Sequence, residues 1–272
     1  MKKILIAAIV SIGLAGCQSK STESIDQEGS TNIKELKDTS AFFYSIEKAH
    51  NAEKWYTQEV FKTNIELVFG GKVRFRGVMY TTPDGGKTRM ESEDGTVMVF
   101  DGQNAYISPD TSSYQRARFD VLTWPYFLTA AYKLSDPGTN IEKQGNRQLD
   151  GVDFEAARLT FEANVGDTPD DWYILYKDPS TNYLAAMAYI VTYGKDLEKA
   201  NADPHCLTYE NFVDFNGIPI ATTWNLWTWN EAGEISKLLG TATLSYFESV
   251  KMAPDLFSKS KNSRLAPIAS VK

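Results

Sequence analysis

The chain has 272 residues, of which 42% are hydrophobic and 23% charged, as is usual for a globular protein. Its formal net charge of −7 argues against a nucleic-acid partner, because an acidic surface is repelled by the phosphate backbone. Two cysteines allow at most one internal disulfide, so the protein depends on its hydrophobic core for stability.

The N-terminus has the pattern of a secretory signal peptide. Two lysines precede an apolar segment, residues 4–13, that is too short to span a bilayer. Residues 14–17, Leu-Ala-Gly-Cys, then resemble the lipobox of bacterial lipoproteins. The resemblance implies a signal peptide over residues 1–16 and attachment to a membrane through lipid on Cys17. Gln18, where some lipoproteins carry Asp, implies the outer membrane of the cell envelope. The alternative is an ordinary secreted protein in which Cys17 lies within the signal peptide.

Three further segments follow the signal peptide. Residues 17–38 are polar, contain no aromatic residue and predict a flexible tether. We expect one β domain over residues 39–252 and a C-terminal tail over residues 253–272. If lipid occupies Cys17, Cys206 has no disulfide partner within the chain.

The pattern of apolar residues predicts a first helix, a long series of strands and a second helix. Thr39 or Ser40 can cap the first helix, which ends near Asn51 and has apolar residues at the i, i+3, i+4, i+7 spacing. From about residue 58 the period changes to two, which is typical of half-buried antiparallel strands. The predicted strands cover about 58–69, 72–79, 87–93, 96–100, 104–108, 152–162, 171–177, 183–193, 206–215, 218–229 and 240–251.

The turns and the second helix complete this prediction. Asn216-Gly217 lies between two alternating segments and favours a hairpin with a type I′ turn. The second helix is predicted over residues 123–134, with Pro125 in its first turn and Pro137-Gly138 beyond its end. The expected fold is mainly β: a curved antiparallel sheet, or incomplete barrel, of about eleven strands with helices plugging its concave face.

Two short segments resemble a known superfamily. Residues 100–110, Phe-Asp-Gly-Gln-Asn-Ala-Tyr-Ile-Ser-Pro-Asp, resemble a hairpin common in the LolA/LolB-like superfamily. Residues 50–55, His-Asn-Ala-Glu-Lys-Trp, are similar to a His-Gly-Gly…Trp signature of a LolA-like lipoprotein family of unknown function, with Asn51-Ala52 replacing Gly-Gly. The resemblance covers about residues 38–252. It implies a LolA-like fold and an apolar ligand such as a lipid acyl chain.

The chain shows no pattern typical of a catalytic or metal site, and we predict neither an enzyme nor a cofactor. His50 at the end of the first helix fits a C-terminal cap, where a cation favours the helix dipole, better than a ligand-binding residue. Asp203, His205 and Cys206 could in principle bind a metal, but neighbours on a strand point to opposite faces. We therefore predict no metal site.

Aromatic residues, 12% of the chain, are the remaining signal for function. We predict an apolar ligand cavity between the sheet and the helices. The candidate cavity residues are Phe42, Ile46, Phe75, Trp124, Tyr126, Phe127 and Trp224. Three alternatives remain open: the same residues form an ordinary core, an exposed patch around Trp227 and Trp229 binds a partner protein, or His50 or His205 meets a carboxylate in a hydrolase site.

Overall fold

The computed structural model describes residues 39–269. The predicted signal peptide, lipidation of Cys17, the tether over residues 17–38 and the last residues, 270–272, lie outside the described part. Within it, no helix is both long and apolar enough to cross a bilayer.

The described residues form one antiparallel sheet and several short helices. The helices are α1 (residues 39–49), α2 (Ala52–Trp55), α3 (Ala117–Thr129), which continues as a 3-10 turn (Ala130–Tyr132), and α4 (Leu197–Asn201). The strands are β1 (Val60–Phe69), β2 (Lys72–Thr81), β3 (Thr88–Ser92), β4 (Val97–Phe100), β5 (Ala105–Ser108), β6 (Thr139–Leu149), β7 (Val152–Phe161), β8 (Tyr173–Lys177), β9 (Leu184–Tyr189), β10 (His205–Phe215), β11 (Ile218–Trp229), β12 (Ile235–Val250) and β13 (Arg264–Leu265).

The sheet consists of two meanders that share one long pairing. The strand order is β13-β5-β4-β3-β2-β1-β12-β11-β10-β9-β8-β7-β6. Strands β1–β5 form one meander and β6–β12 the other, and α3 separates them in the sequence. The pairing of β1 with β12 joins the two halves, while β13 and β6 form the edges, so the sheet is not closed into a barrel. The predicted mainly β, incomplete barrel is therefore confirmed, with thirteen described strands instead of about eleven.

The hairpin at Asn216-Gly217 is confirmed. Phe215 pairs with Ile218 across the turn, and both turn residues have positive φ, 52° and 81°, as a type I′ turn requires. This hairpin sets the register of β10 on β11, so that Tyr209 lies opposite Trp224.

The prediction for the second helix was wrong at its start. The helix begins at Ala117 rather than at residue 123, which places Pro125 in its interior. Proline has no N–H to donate to the carbonyl four residues earlier, on Val121. The hydroxyl of Thr88 on β3 donates to this carbonyl instead, at 2.6 Å, in a buried position. A side chain of the sheet thus satisfies the group that the helix leaves without a partner.

The sheet buries apolar residues on both faces. The concave face and the helices share the main core, which includes Phe61, Leu175 and Trp224. A second cluster on the convex face includes Trp229 and Cys206. Alternation along β11 and β10 explains the split, because successive side chains point to opposite sides.

The segment after β12 packs against the β domain. Phe257 is buried with Val60 and Val99 in a third cluster, and β13 pairs with β5 at the edge of the sheet. Residues 253–269 of the predicted tail therefore contribute to the core and the sheet.

Candidate apolar ligand site

A cavity of about 350 Å³ lies between α3 and one end of strands β6–β9. Four strand residues reach it. Thr139 begins β6 and Tyr173 begins β8, while Phe161 ends β7 and Tyr189 ends β9. Thr139 pairs with Phe161 and Tyr173 pairs with Tyr189, so all four lie at the same end of the sheet. The loops on either side of these strands complete the wall.

Helix α3 supplies the opposite wall. Its residues on the cavity, spaced three or four apart on one side of the helix, are Phe119, Leu122, Thr123, Tyr126 and Thr129, together with Phe127. Val121, Trp124 and Leu128 are buried in the main core, where α3 packs on β2–β5. The helix is therefore apolar on two sides, one of which packs on the sheet while the other faces the cavity.

A buried carboxylate fixes α3 to the sheet. Asp120, in the first turn of the helix, accepts hydrogen bonds from the Arg74 guanidinium on β2, the Tyr114 hydroxyl and Nε1 of Trp124, the last at 3.0 Å. The Asp120 side chain is fully buried in its ion pair with Arg74. Movement of α3 away from the sheet would break this pair and leave a buried charge without its partner, which is unfavourable. The network therefore holds the cavity wall in place.

Aromatic rings form the floor of the cavity. The ring centroids of Tyr126 and Tyr173 are 5.4 Å apart, those of Phe127 and Tyr189 5.2 Å, and those of Tyr173 and Phe161 5.9 Å. These separations are typical of aromatic pairs in protein cores. The floor is therefore a set of packed rings that presents flat apolar surfaces to a ligand.

Charged residues lie at the loops around the cavity, and most are paired. Lys133 pairs with Asp136 at 2.5 Å and also donates to the Asp84 carbonyl. Asp167 accepts two hydrogen bonds from Arg118, in the bidentate geometry of a strong pair.

Asp171 is the buried acid of the cavity. One of its oxygens accepts from the Thr192 N–H and hydroxyl, both at 2.7 Å, and the other accepts from the Thr168 hydroxyl at 2.8 Å. Burial raises the pKa of the Asp171 carboxyl, and these hydrogen bonds act in the opposite direction.

The structure brings together only part of the residue set that the sequence indicated. Tyr126 and Phe127 line the cavity. Trp224 and Phe127 line a second, much smaller space of about 20 Å³ next to His50. The other four predicted residues are packed in the main core and reach neither space: Phe42, Ile46, Phe75 and Trp124.

Sequence reasoning missed most of the cavity wall. Phe119 and Leu122 were missed because the predicted helix began after them. Tyr173 and Tyr189 lie at the ends of predicted strands, where alternation cannot distinguish a packed side chain from one that faces a space. The helical spacing of residues 119, 122 and 126 was the available signal.

His50 is a structural residue that joins α1 to the sheet. Its Nε2 accepts a hydrogen bond from the Leu184 N–H at 3.0 Å, and it also bonds to the Pro219 backbone. Burial lowers its pKa to about 4. The interpretation as a cationic helix cap is therefore wrong, because the ring is buried and neutral.

His205 and Cys206 point to opposite faces of β10, as predicted. Cys206 is buried in the convex cluster, whereas the His205 ring stacks on Tyr189. Nε2 of His205 lies 3.7 Å from Asp203, too far for a hydrogen bond. Among residues 39–269, no three His, Cys, Asp or Glu side chains form a group that could hold a metal ion.

Trp227 and Trp229 do not form an exposed aromatic patch. Trp229 is buried in the convex cluster, and its Nε1 donates to the Tyr176 hydroxyl. Trp227 is partly buried and donates to the Thr208 hydroxyl. The cavity beside α3 is therefore the stronger candidate site.

Comparison with known proteins defines the class of fold. No family model matches the chain, and no curated protein matches it in sequence. A LolA superfamily protein from Nitrosomonas europaea superposes with a TM-score of 0.53 at 13% identity, over 79% of this chain and 97% of that protein. A domain described as that of an outer membrane lipoprotein-sorting protein from Vibrio parahaemolyticus gives a TM-score of 0.50 at 10% identity, over 78% and 95%.

These likenesses show that the chain has a LolA-like fold, and the predicted resemblance is confirmed at this level. At such low identity they establish the fold alone. The ligand has to be argued from the cavity of this chain.

Proposed function

We propose that this protein is a lipid-anchored protein of the bacterial envelope that binds one acyl chain, or an apolar ligand of similar size, in the cavity between α3 and β6–β9. The observation that carries the proposal is the cavity itself, about 350 Å³ lined mainly by aromatic and aliphatic side chains. Small-molecule sites have volumes of about 300–1,000 Å³, so this cavity suits one chain rather than several.

The driving force for binding is the transfer of apolar surface out of water. Each methylene group that leaves water contributes about 0.8 kcal/mol. The fixed position of α3 and the stacked rings of the floor keep the site largely preformed, which limits the ordering cost of binding. The LolA-like fold and the lipobox-like segment at residues 14–17 also support an envelope role.

Filling the cavity tests this proposal. Leu122 lies on the cavity face of α3, and Leu122→Trp places a larger ring in the space that a ligand needs. We expect the purified protein to carry lipid that solvent extraction and mass spectrometry detect, and the variant to carry at least about tenfold less. Val152→Trp is the matched control, because Val152 is 55% exposed and lies away from the cavity. Equal lipid content in the wild-type protein and the Leu122→Trp variant would exclude this cavity as the site.

The anchor is tested at Cys17. Several acyl chains on one residue bind a membrane firmly, whereas an unmodified acidic domain does not. We expect the wild-type protein to partition into the detergent phase and to cofractionate with outer membranes, and the Cys17→Ser variant to partition into the aqueous phase. A variant that remains in the detergent phase would contradict lipidation at this residue.

A further inference from the structure

Three tyrosine hydroxyls in the cavity make no hydrogen bond within residues 39–269. Tyr126, Tyr173 and Tyr189 all line the space, and Tyr173 and Tyr189 are only 8% and 6% exposed. Their neighbours behave differently: the hydroxyl of Tyr193, on the same wall, donates to the Pro267 carbonyl at 3.3 Å, and that of Tyr209 donates to the Phe127 carbonyl at 2.7 Å.

These hydroxyls open onto the cavity rather than into the packed core. Among the fully buried side-chain nitrogen and oxygen atoms of the described residues, only Nδ1 of His205 lacks a hydrogen-bond partner. The three tyrosine oxygens also lack a partner, so they are not fully buried and must reach the accessible space. Burying a polar group without a hydrogen bond is unfavourable, so a purely hydrocarbon ligand would leave three donors unsatisfied.

The hydroxyls are neutral donors. Burial raises the pKa of Tyr126, Tyr173 and Tyr189, and the Asp171 carboxylate adds to this effect at each of them. Each therefore presents an O–H group to an acceptor on the ligand at physiological pH. The rings of Tyr126 and Tyr173, and of Tyr173 and Tyr189, pack within 6.0 Å of each other, which places the three side chains in one cluster.

The charges around the cavity disfavour an anionic ligand. Its lining includes three acids, Asp136, Asp167 and Asp171. Asp136 is paired with Lys133 and Asp167 with Arg118, whereas the buried Asp171 has no ion-pair partner among residues 39–269. Arg116 is exposed and stacks on Phe119 rather than lining the space. Inside the cavity a ligand carboxylate would therefore lie near the unpaired acid Asp171, while both lining ion pairs keep their own partners.

We infer that the cavity selects an uncharged acyl ester over the free fatty acid, with the hydroxyls of Tyr126, Tyr173 and Tyr189 donating hydrogen bonds to the ester oxygens. This inference rests on the proposed function, that the cavity binds an acyl chain, and adds the chemistry of the group attached to that chain. The aromatic floor holds the chain, and the tyrosine cluster fixes the position of its polar end.

The test compares two ligands with the same chain, monolaurin and laurate, by equilibrium dialysis at pH 8 and below their micelle concentrations. We expect monolaurin to bind the wild-type protein at least about tenfold more tightly than laurate. Tyr173→Phe removes one donor and keeps the ring, so it should weaken monolaurin binding by about three- to tenfold. Tyr246→Phe, at a residue 81% exposed, removes the same atom outside the cavity and should leave binding unchanged.

The outcomes separate the inference from the proposed function. If laurate binds as tightly as monolaurin, the selection is wrong while the binding of an acyl chain stands. If neither ligand binds, both are wrong. If Tyr173→Phe binds monolaurin as the wild-type protein does, this hydroxyl does not contact the ligand. Because the hydroxyl has no partner within the described protein, Tyr173→Phe should also retain the wild-type melting temperature, and a clear decrease would contradict the assignment.

Discussion

The replacement of Thr88 by valine probes how α3 accommodates Pro125. Thr88 is 1% exposed, and its hydroxyl donates to the Val121 carbonyl at 2.6 Å. Valine keeps the shape of the side chain but removes the donor, so the carbonyl loses a partner that the helix cannot replace. A buried polar group without a partner costs about 1–3 kcal/mol, so we expect Thr88→Val to lower the free energy of unfolding by about 2 kcal/mol.

A double-mutant cycle isolates this effect. Pro125→Ala restores a backbone N–H four residues after Val121, so the helix can then satisfy the carbonyl itself. In that background we expect Thr88→Val to cost only about 0.5 kcal/mol, which gives a coupling free energy of about 1.5 kcal/mol. Urea unfolding, followed by tryptophan fluorescence and by far-ultraviolet circular dichroism, supplies the four free energies.

Thr243→Val on β12 is the matched control, because Thr243 is exposed and its side chain makes no hydrogen bond within the described protein. It should change the free energy of unfolding by less than about 0.5 kcal/mol. The reasoning is refuted if Thr88→Val costs the same, within about 0.5 kcal/mol, with proline and with alanine at position 125.

Two further predictions concern the buried titratable groups. Burial lowers the pKa of His50 from 6.5 to about 4, so between these values the unfolded chain binds a proton that the folded protein does not. The free energy of unfolding should therefore decrease by up to about 3 kcal/mol as the pH falls from 7 to 4, and His50→Gln should remove this part of the dependence. Cys206 is fully buried, which raises the pKa of its thiol, so in a Cys17→Ser protein Ellman's reagent should label it only after denaturation.

A different result would contradict each of the predictions for His50 and Cys206. For His50, the difference between the two pH profiles of unfolding is the measured quantity, and parallel profiles would contradict a buried neutral ring. For Cys206, labelling in native buffer at the rate seen in urea would contradict burial on the convex face.

Local patterns in the sequence predicted most of the sheet. The alternation along β10 and β11, with Asn216-Gly217 between them, identified both strands and their turn, because side-chain period and turn chemistry are local properties. The strand β6 (Thr139–Leu149) was not predicted, because it is an edge strand with a mostly polar sequence. Charged edge strands avoid pairing with other molecules and carry little alternation.

The start of α3 was predicted at the wrong residue for a different reason. Pro125 favours the first turn of a helix when only the chain is considered. Its interior position depends on Thr88, which is 37 residues earlier and reaches Val121 only in the folded sheet. No local pattern contains that contact.

By itself the sequence determined the class of fold, the hairpin and the lipobox-like N-terminus, since each depends on residues close together in the chain. Only the tertiary structure decided which aromatic residues pack and which face a cavity. The pairing of β1 with β12 joins the two meanders, and Asp120 holds α3 on the sheet. Tyr126 and Tyr189 thereby meet across one space although 63 residues separate them. Phe42 and Phe75, equally apolar in sequence, are packed in the core, because burial depends on what lies opposite a side chain.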